Sequence, residues 1–175
     1  MRRDEDTAEG SPAEPAIAFR PAGAADAEAL ARLWTGVYVP SGITGRTESF
    51  TAEEAGRALT ASDGRVAVDA QGAVLGAVLL APQGVPAANL TRSSGEAQIL
   101  LLAVDDPARR AGLGRSLVGW CLETARARGL ETLWLWSRPT QQPAHRLYES
   151  CGFVRAFERD RAPGGPERLV YRLEL

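Results

Sequence analysis

The stretch Arg109-Arg110-Ala111-Gly112-Leu113-Gly114 sets two arginines and two glycines directly after an apolar run and directly before an amphipathic one. A glycine-rich turn that opens a helix leaves several backbone N–H groups without intrahelical acceptors, and the helix dipole adds a positive field at the same point. Phosphate is the ligand that such a turn suits. Gly112 and Gly114 let the backbone approach it closely, while Arg109, Arg110 and Arg115 offer charge-assisted hydrogen bonds. On composition alone the same residues also read as an ordinary helix start with a solvated arginine face. A nucleoside-triphosphatase loop is excluded, because it needs Lys before Ser or Thr and the chain has no lysine. The dinucleotide register Gly-x-Gly-x-x-Gly fails as well, since Arg115-Ser116-Leu117 follows the second glycine.

Periodicity predicts the elements that hold this turn. Ala16 to Arg20 reads as a first strand, broken by Pro21-Ala22-Gly23. Asp26 is placed to cap a helix that carries Leu30, Leu33, Trp34 and Val37 at helical spacing and ends near Pro40. Residues 41–47 read as a loop, and Thr51 to Leu59 as a short helix with Glu53 and Glu54 in its first turn. Arg65 to Asp69 and Val74 to Ala81 form a predicted hairpin, followed by a polar loop over 82–94. Ala97 to Val104 is nearly all apolar, as expected of a strand covered on both faces. The helix after the glycine turn carries Leu113, Leu117, Trp120, Cys121 and Ala125 on one stripe and ends at Gly129. Thr132 to Ser137 is another buried strand, so the unit is a right-handed βαβ with the phosphate turn at the strand-to-helix handover. Ala144, Leu147, Tyr148 and Cys151 follow i, i+3, i+4, i+7, which puts Tyr148 on the buried face of a further helix. Phe153 to Arg159 is expected to continue as a strand, 163–166 as a turn, and Arg168 to Leu175 as a closing strand. The expected fold class is α/β, one domain over 16–175 with a mixed central β-sheet and helices on both faces.

Two ordered motifs give this pattern a family resemblance. Arg109-x-x-Gly112-x-Gly114, preceded by Leu101 to Pro107, matches a Gln/Arg-x-x-Gly-x-Gly/Ala loop. Ala144 to Phe153 matches Ala-x-x-Leu-Tyr-Glu-x-x-Gly-Phe. From Gly95 to Phe153 the chain resembles the acyl-CoA-dependent N-acetyltransferases of the GNAT superfamily. The resemblance implies a GNAT-like fold, acetyl-CoA as acyl donor, no metal, and direct transfer to a primary amine in a ternary complex. It implies that Leu102, Ala103 and Val104 bind the donor through main chain. Arg109, Arg110, Ala111, Gly112, Leu113, Gly114, Arg115 and Ser116 are then the pyrophosphate loop, and Tyr148 the general acid that protonates the leaving thiolate. Gln141 stands where the family often has asparagine, as a cofactor contact. Glu96 is the candidate general base; it reads equally as a solvated residue at the start of a strand, and some family members need no dedicated base.

Other residues carry simpler readings. Tyr148 alone would be a core aromatic, Cys121 and Cys151 fall on apolar helical stripes as packing thiols, and Trp134 and Trp136 face one side of a buried strand. His145, the single histidine, is placed to pair with Glu149 at i+4. With 20 basic and 22 acidic side chains the formal net charge is −2, so there is no nucleic-acid footprint. Two cysteines make no disulfide framework, no membrane span is expected, and a cytoplasmic setting is the default. Residues 1–15 read as a disordered leader. Among acceptors a small-molecule amine is favoured over a protein amino terminus, with a monomer and a homodimer both open. A non-catalytic acyl-CoA-binding sensor is the competing reading.

Overall fold

A computed structural model describes residues 17–42, 46–160 and 167–175. Seven strands form one sheet in the order β1-β2-β3-β4-β5-β7-β6, where β1 is Ala18–Pro21, β2 Asp63–Val68, β3 Val74–Pro82, β4 Glu96–Val104, β5 Thr132–Ser137, β6 Val154–Arg155 and β7 Leu169–Glu174. Every neighbouring pair is antiparallel except β4 with β5. Among the described residues the α-helices are α1 Ala27–Ser41, α2 Ala52–Ala61, α3 Leu113–Ala127 and α4 Gln142–Ser150.

The apolar run of β3 explains the layering. Successive side chains of a strand point to opposite faces. Val78 and Leu80 pack with Leu117, Val118 and Cys121 of α3 and Tyr148 of α4, whereas Ala77 and Leu79 pack with Leu30 and Trp34 of α1 and Ala55 of α2. Helices therefore cover both faces, as the sequence predicts. The parallel pair β4 and β5 is joined through α3, which is the expected βαβ connection.

Several local expectations need correction. Asp26 does not cap α1 through its side chain; its carboxylate instead takes the Gly23 amide at 2.8 Å and the Arg20 guanidinium at 2.7 and 2.8 Å. Those bonds, the arginine's first, hold its pKa below the ordinary carboxylate value. The end of that helix near Pro40 is as expected: its last residue is Ser41, and Gly42 closes it in the left-handed conformation. Thr51 caps α2 by a reciprocal pair of bonds with Glu54. The strand expected from Phe153 to Arg159 is only Val154–Arg155. Beyond it the Asp160 carboxylate, rather than a backbone carbonyl, accepts the Val170 amide at 2.7 Å, and the chain turns through a short 3-10 segment at Phe157–Arg159. The expected leader, residues 1–15, and the turn at 163–166 lie outside the described residues.

Candidate active site

The central feature of the sheet is a split. β4 and β5 pair only at Glu96, Ala97 and Gln98 with Thr132, Leu133 and Trp134. Further along, β4 stays bonded to β3 up to Val104 and β5 to β7 up to Ser137, so the two strands diverge and their facing edges are left without a partner strand. A cleft of about 1150 Å³ occupies the split, walled by Ile99 to Val104 of β4, Leu135 and Trp136 of β5, and Ala144, Leu147 and Tyr148 of α4.

A β-bulge in β4 sits at the centre of this wall. Leu100 pairs with Leu79 and Ala103 with Ala77, so Leu101 and Leu102 together oppose Val78. Leu101 adopts φ 50, a left-handed conformation unusual for a leucine. Such an irregularity redirects the backbone groups of the strand, here at the edge that faces the cleft. The Tyr38 hydroxyl of α1 donates to the Leu102 carbonyl at 2.7 Å and fixes the bulge from the other side. Tyr38 carries no motif, and in sequence it reads as one more aromatic on the buried stripe of a helix.

The glycine turn forms one end of the cleft. Gly112 adopts φ 76 as the residue before α3, in open space, and Arg110 also adopts φ 76. The first bond into the helix is from the Ser116 amide to the Gly112 carbonyl at 3.1 Å, so the amides of Leu113, Gly114 and Arg115 precede the helical ladder. Gly114 lies close to α4: a Cβ there would stand 3.1 Å from Leu147 Cδ2, so the leucine would have to give by a few tenths of an ångström. Arg109 is braced by Asp106 at 2.5 Å and reaches the Val104 carbonyl at 3.4 Å, while Arg115 reaches the Ser150 hydroxyl at 2.7 Å. This end has the donors, charge and open backbone that a pyrophosphate needs, and the unpaired edge of β4 can accept an amide-bearing arm as an added strand.

Tyr148 lies in the wall of the cleft, buried and packed against Phe153 and Tyr171 with ring centroids 6.2 and 5.9 Å away. Burial pushes its phenol, and that of Tyr38, above the ordinary tyrosine range, so both stay protonated at neutral pH. Gln141 precedes α4, lines the cleft, and accepts the Ser137 hydroxyl at 2.8 Å and the Arg138 amide at 3.3 Å.

The fold thus brings Leu102 to Val104, the residues Arg109, Arg110 and Gly112 to Arg115, Gln141 and Tyr148 around one cleft. It does not bring Glu96 there. The Glu96 carboxylate accepts the Arg92 and Ser93 amides in the loop before β4, and its other oxygen lies 3.8 Å from the Arg159 guanidinium. Ala111 and Ser116 belong to the turn and the first turn of α3 without lining the cleft. Trp136 lines the cleft, whereas Trp134 is buried beneath the Arg159 guanidinium at 3.6 Å. His145 does not pair with Glu149; its Nε2 donates to the Arg138 carbonyl at 2.9 Å. Cys121 is buried, and that burial raises its thiol pKa, as expected of a packing residue. Among the described residues no cluster of side chains suits a metal ion, and no helix is long and apolar enough to cross a membrane.

Comparison with known proteins agrees with this geometry. Residues 28–153 match the acetyltransferase (GNAT) family. A stretch of 64 residues, 37% of this chain, is 43% identical to the ribosomal protein bS18-alanine N-acetyltransferase of Escherichia coli strain K12; it spans only 43% of that relative's length. The solved structure of the Escherichia coli ribosomal-protein-S18-alanine N-acetyltransferase superposes with a TM-score of 0.67 at 20% identity, over 91% of this chain and 94% of that one. A GCN5-related N-acetyltransferase from Kribbella flavida gives 0.70 at 26% identity, over 91% and 98%. The sequence-level preference for a small-molecule acceptor finds no support in these comparisons.

Proposed function

The chain belongs to the acetyltransferase (GNAT) family and is an acyltransferase; from that premise we propose that it moves the acetyl group of acetyl-CoA directly to a primary amine bound in the same cleft. The observation that carries this reading is the split between β4 and β5, with the glycine turn at one end and Tyr148 in its wall. The amides of Leu113 to Arg115 and the side chains of Arg109 and Arg110 hold the pyrophosphate, where the positive end of α3 is worth most. The unpaired edge of β4 from Leu102 to Val104 lines up the pantetheine arm and offers a backbone N–H to the thioester carbonyl. Gln141 bounds this binding surface from the start of α4.

The reaction needs a neutral amine, a polarised carbonyl and a proton for the leaving sulfur. Tyr148 is the proton donor, since burial keeps its hydroxyl protonated well past neutral pH. Glu96 is tied into the loop before β4 and acts there as a structural residue. The similarity to the Escherichia coli ribosomal protein bS18-alanine N-acetyltransferase, which acts on a protein alanine, supports a protein amino terminus over a small-molecule amine as acceptor. Release of coenzyme A thiol on adding acetyl-CoA and an amine tests the reading. Thiol release that depends on the amine supports it; saturable acetyl-CoA binding with no transfer to any amine would refute it.

A further inference from the structure

The face of β5 turned away from α3 and α4 is covered by an irregular loop. Leu133 and Leu135 pack with those helices, so Trp134 and Trp136 project to the opposite face. There Trp134 packs with Leu90, Ala156 and Val170, and Trp136 lies against the same cluster. Leu90 belongs to the run 83–95 between β3 and β4, which forms no helix or strand. Loops of more than about 12 residues without secondary structure are uncommon in compact domains and are usually functional or disordered. This one is pinned. The Leu90 amide donates to the Gln98 side-chain oxygen at 2.9 Å, the Leu90 carbonyl accepts from Arg159 at 2.5 Å, and the Leu90 side chain is buried. The Arg159 guanidinium also lies 3.6 Å from the centroid of a Trp134 ring and 3.8 Å from the Glu96 carboxylate. Glu96 in turn accepts the Arg92 and Ser93 amides, so the far end of the loop is tied to the same arginine. The planar fork of an arginine suits this place, since it stacks by its face and donates by its edge. Directly before Leu90, Asn89 lines the cleft, and its side-chain oxygen accepts from Arg168 at 3.1 Å. Val85, Ala87 and Trp136 line the cleft as well.

We infer that the loop 83–95 is the wall that selects the amine acceptor, and that Arg159 is the positioning residue that sets this wall. The inference rests on the transferase reading above and adds a selectivity element to it. In that reading the donor is held by the glycine turn and α4, on the face of the sheet that packs α3. The loop lines the cleft from the other face, as Val37 and Tyr38 of α1 do. An acceptor that meets the thioester beside the bulge of β4 rests against Val85, Ala87 and Asn89. Arg159 does not line the cleft; it acts through Leu90 and through the Glu96 end of the loop. Selectivity is a difference between two affinities, so a wall of this kind shows itself in the ranking of acceptors and leaves the donor alone.

The test uses the full chain, acetyl-CoA and two peptides, alanyl-glycyl-glycine and phenylalanyl-glycyl-glycine. Arg159→Met keeps an unbranched stem beside Trp134 and removes the guanidinium. The KM for both peptides is expected to rise about tenfold, as for loss of one hydrogen bond to a charged group, while calorimetry gives an acetyl-CoA affinity within about twofold of the unchanged enzyme. Arg159→Lys, which keeps the charge without the planar fork, should recover part of the loss. Ala87→Leu leaves every pin in place and tests the wall independently of how the Arg159 variants fold. It should change the ratio of kcat/KM between the two peptides by about tenfold, the low end of what one methylene does in an apolar pocket. An unchanged ratio in Ala87→Leu would overturn the inference. So would an acetyl-CoA affinity that falls in step with the peptide KM in an Arg159→Met variant of unchanged Tm. Transfer to neither peptide by the unchanged enzyme, with acetyl-CoA bound, would overturn the reading of a peptide amine as acceptor, and this inference with it.

Discussion

Tyr148 and Tyr38 stand on opposite sides of β4 and do different work with the same group. Tyr148 lines the cleft, and because it is the proposed general acid, Tyr148→Phe should lower kcat by about 100-fold, the low end of the range for such a group. Acetyl-CoA affinity by calorimetry should be unchanged, because only the proton is lost; unchanged turnover would remove the residue from the chemistry. Tyr38→Phe loses the bond to the Leu102 carbonyl and should instead weaken donor binding and loosen the bulge, seen as faster amide exchange at Leu101 to Ala103. The motif around Tyr148 was readable because its helical spacing and its neighbours coincide. Tyr38 was not, because the hydrogen bond spans 64 positions and no local pattern marks it. Glu96 misled for the complementary reason: its place at the start of β4 is visible in sequence, but the loop amides that claim its carboxylate are not.

At the scale of elements, the turn before α3 should respond differently at its two glycines. Gly112 needs a left-handed backbone in open space, so Gly112→Ala should cost about 1–2 kcal/mol of conformational strain and weaken acetyl-CoA binding. Gly114→Ala places a methyl group against Leu147 and should displace α4, lowering both Tm and kcat because Tyr148 lies one residue further along that helix. Thermal melts and calorimetry on the two variants separate these effects. Arg110→Ala should reduce acetyl-CoA affinity about tenfold, in line with loss of one charge-assisted bond, and leave the KM for the amine nearly unchanged. The helices, the hairpin and the parallel pair were legible because each follows from the period of its apolar residues. The length over which β4 and β5 actually pair was not: continuous apolar runs promise two buried strands and say nothing about where they part. The bulge at Leu101 is equally silent, since leucine gives no hint of a left-handed backbone.

At the scale of the whole molecule, the described interior holds protonated groups that would ionise in an unfolded chain, Tyr38, Tyr148, Tyr171 and Cys121 among them. Burial raises the pKa of Tyr38, Tyr148 and Cys121 above their ordinary values. A raised folded pKa means stability that is fully present below the unfolded value and falls once the unfolded chain starts to release these protons. Tm should therefore be flat through neutral pH with respect to these groups and decline from about pH 8.5, where free thiols ionise, and more steeply above about pH 10, where free phenols do. Cys121→Ala and Tyr148→Phe should each flatten part of that decline. A decline of the same size in both variants would mean that other groups control alkaline stability.

The claim that unites these scales is that acetyl-CoA lies in the split between β4 and β5 with its pyrophosphate on the start of α3. Amide chemical-shift perturbation during an acetyl-CoA titration of the uniformly labelled protein measures this most directly. Saturating shifts concentrated at Leu101 to Val104 and at Ala111 to Arg115 are the predicted result. Absence of saturation, or a perturbed surface confined to the far edge of the sheet at β1, would contradict it.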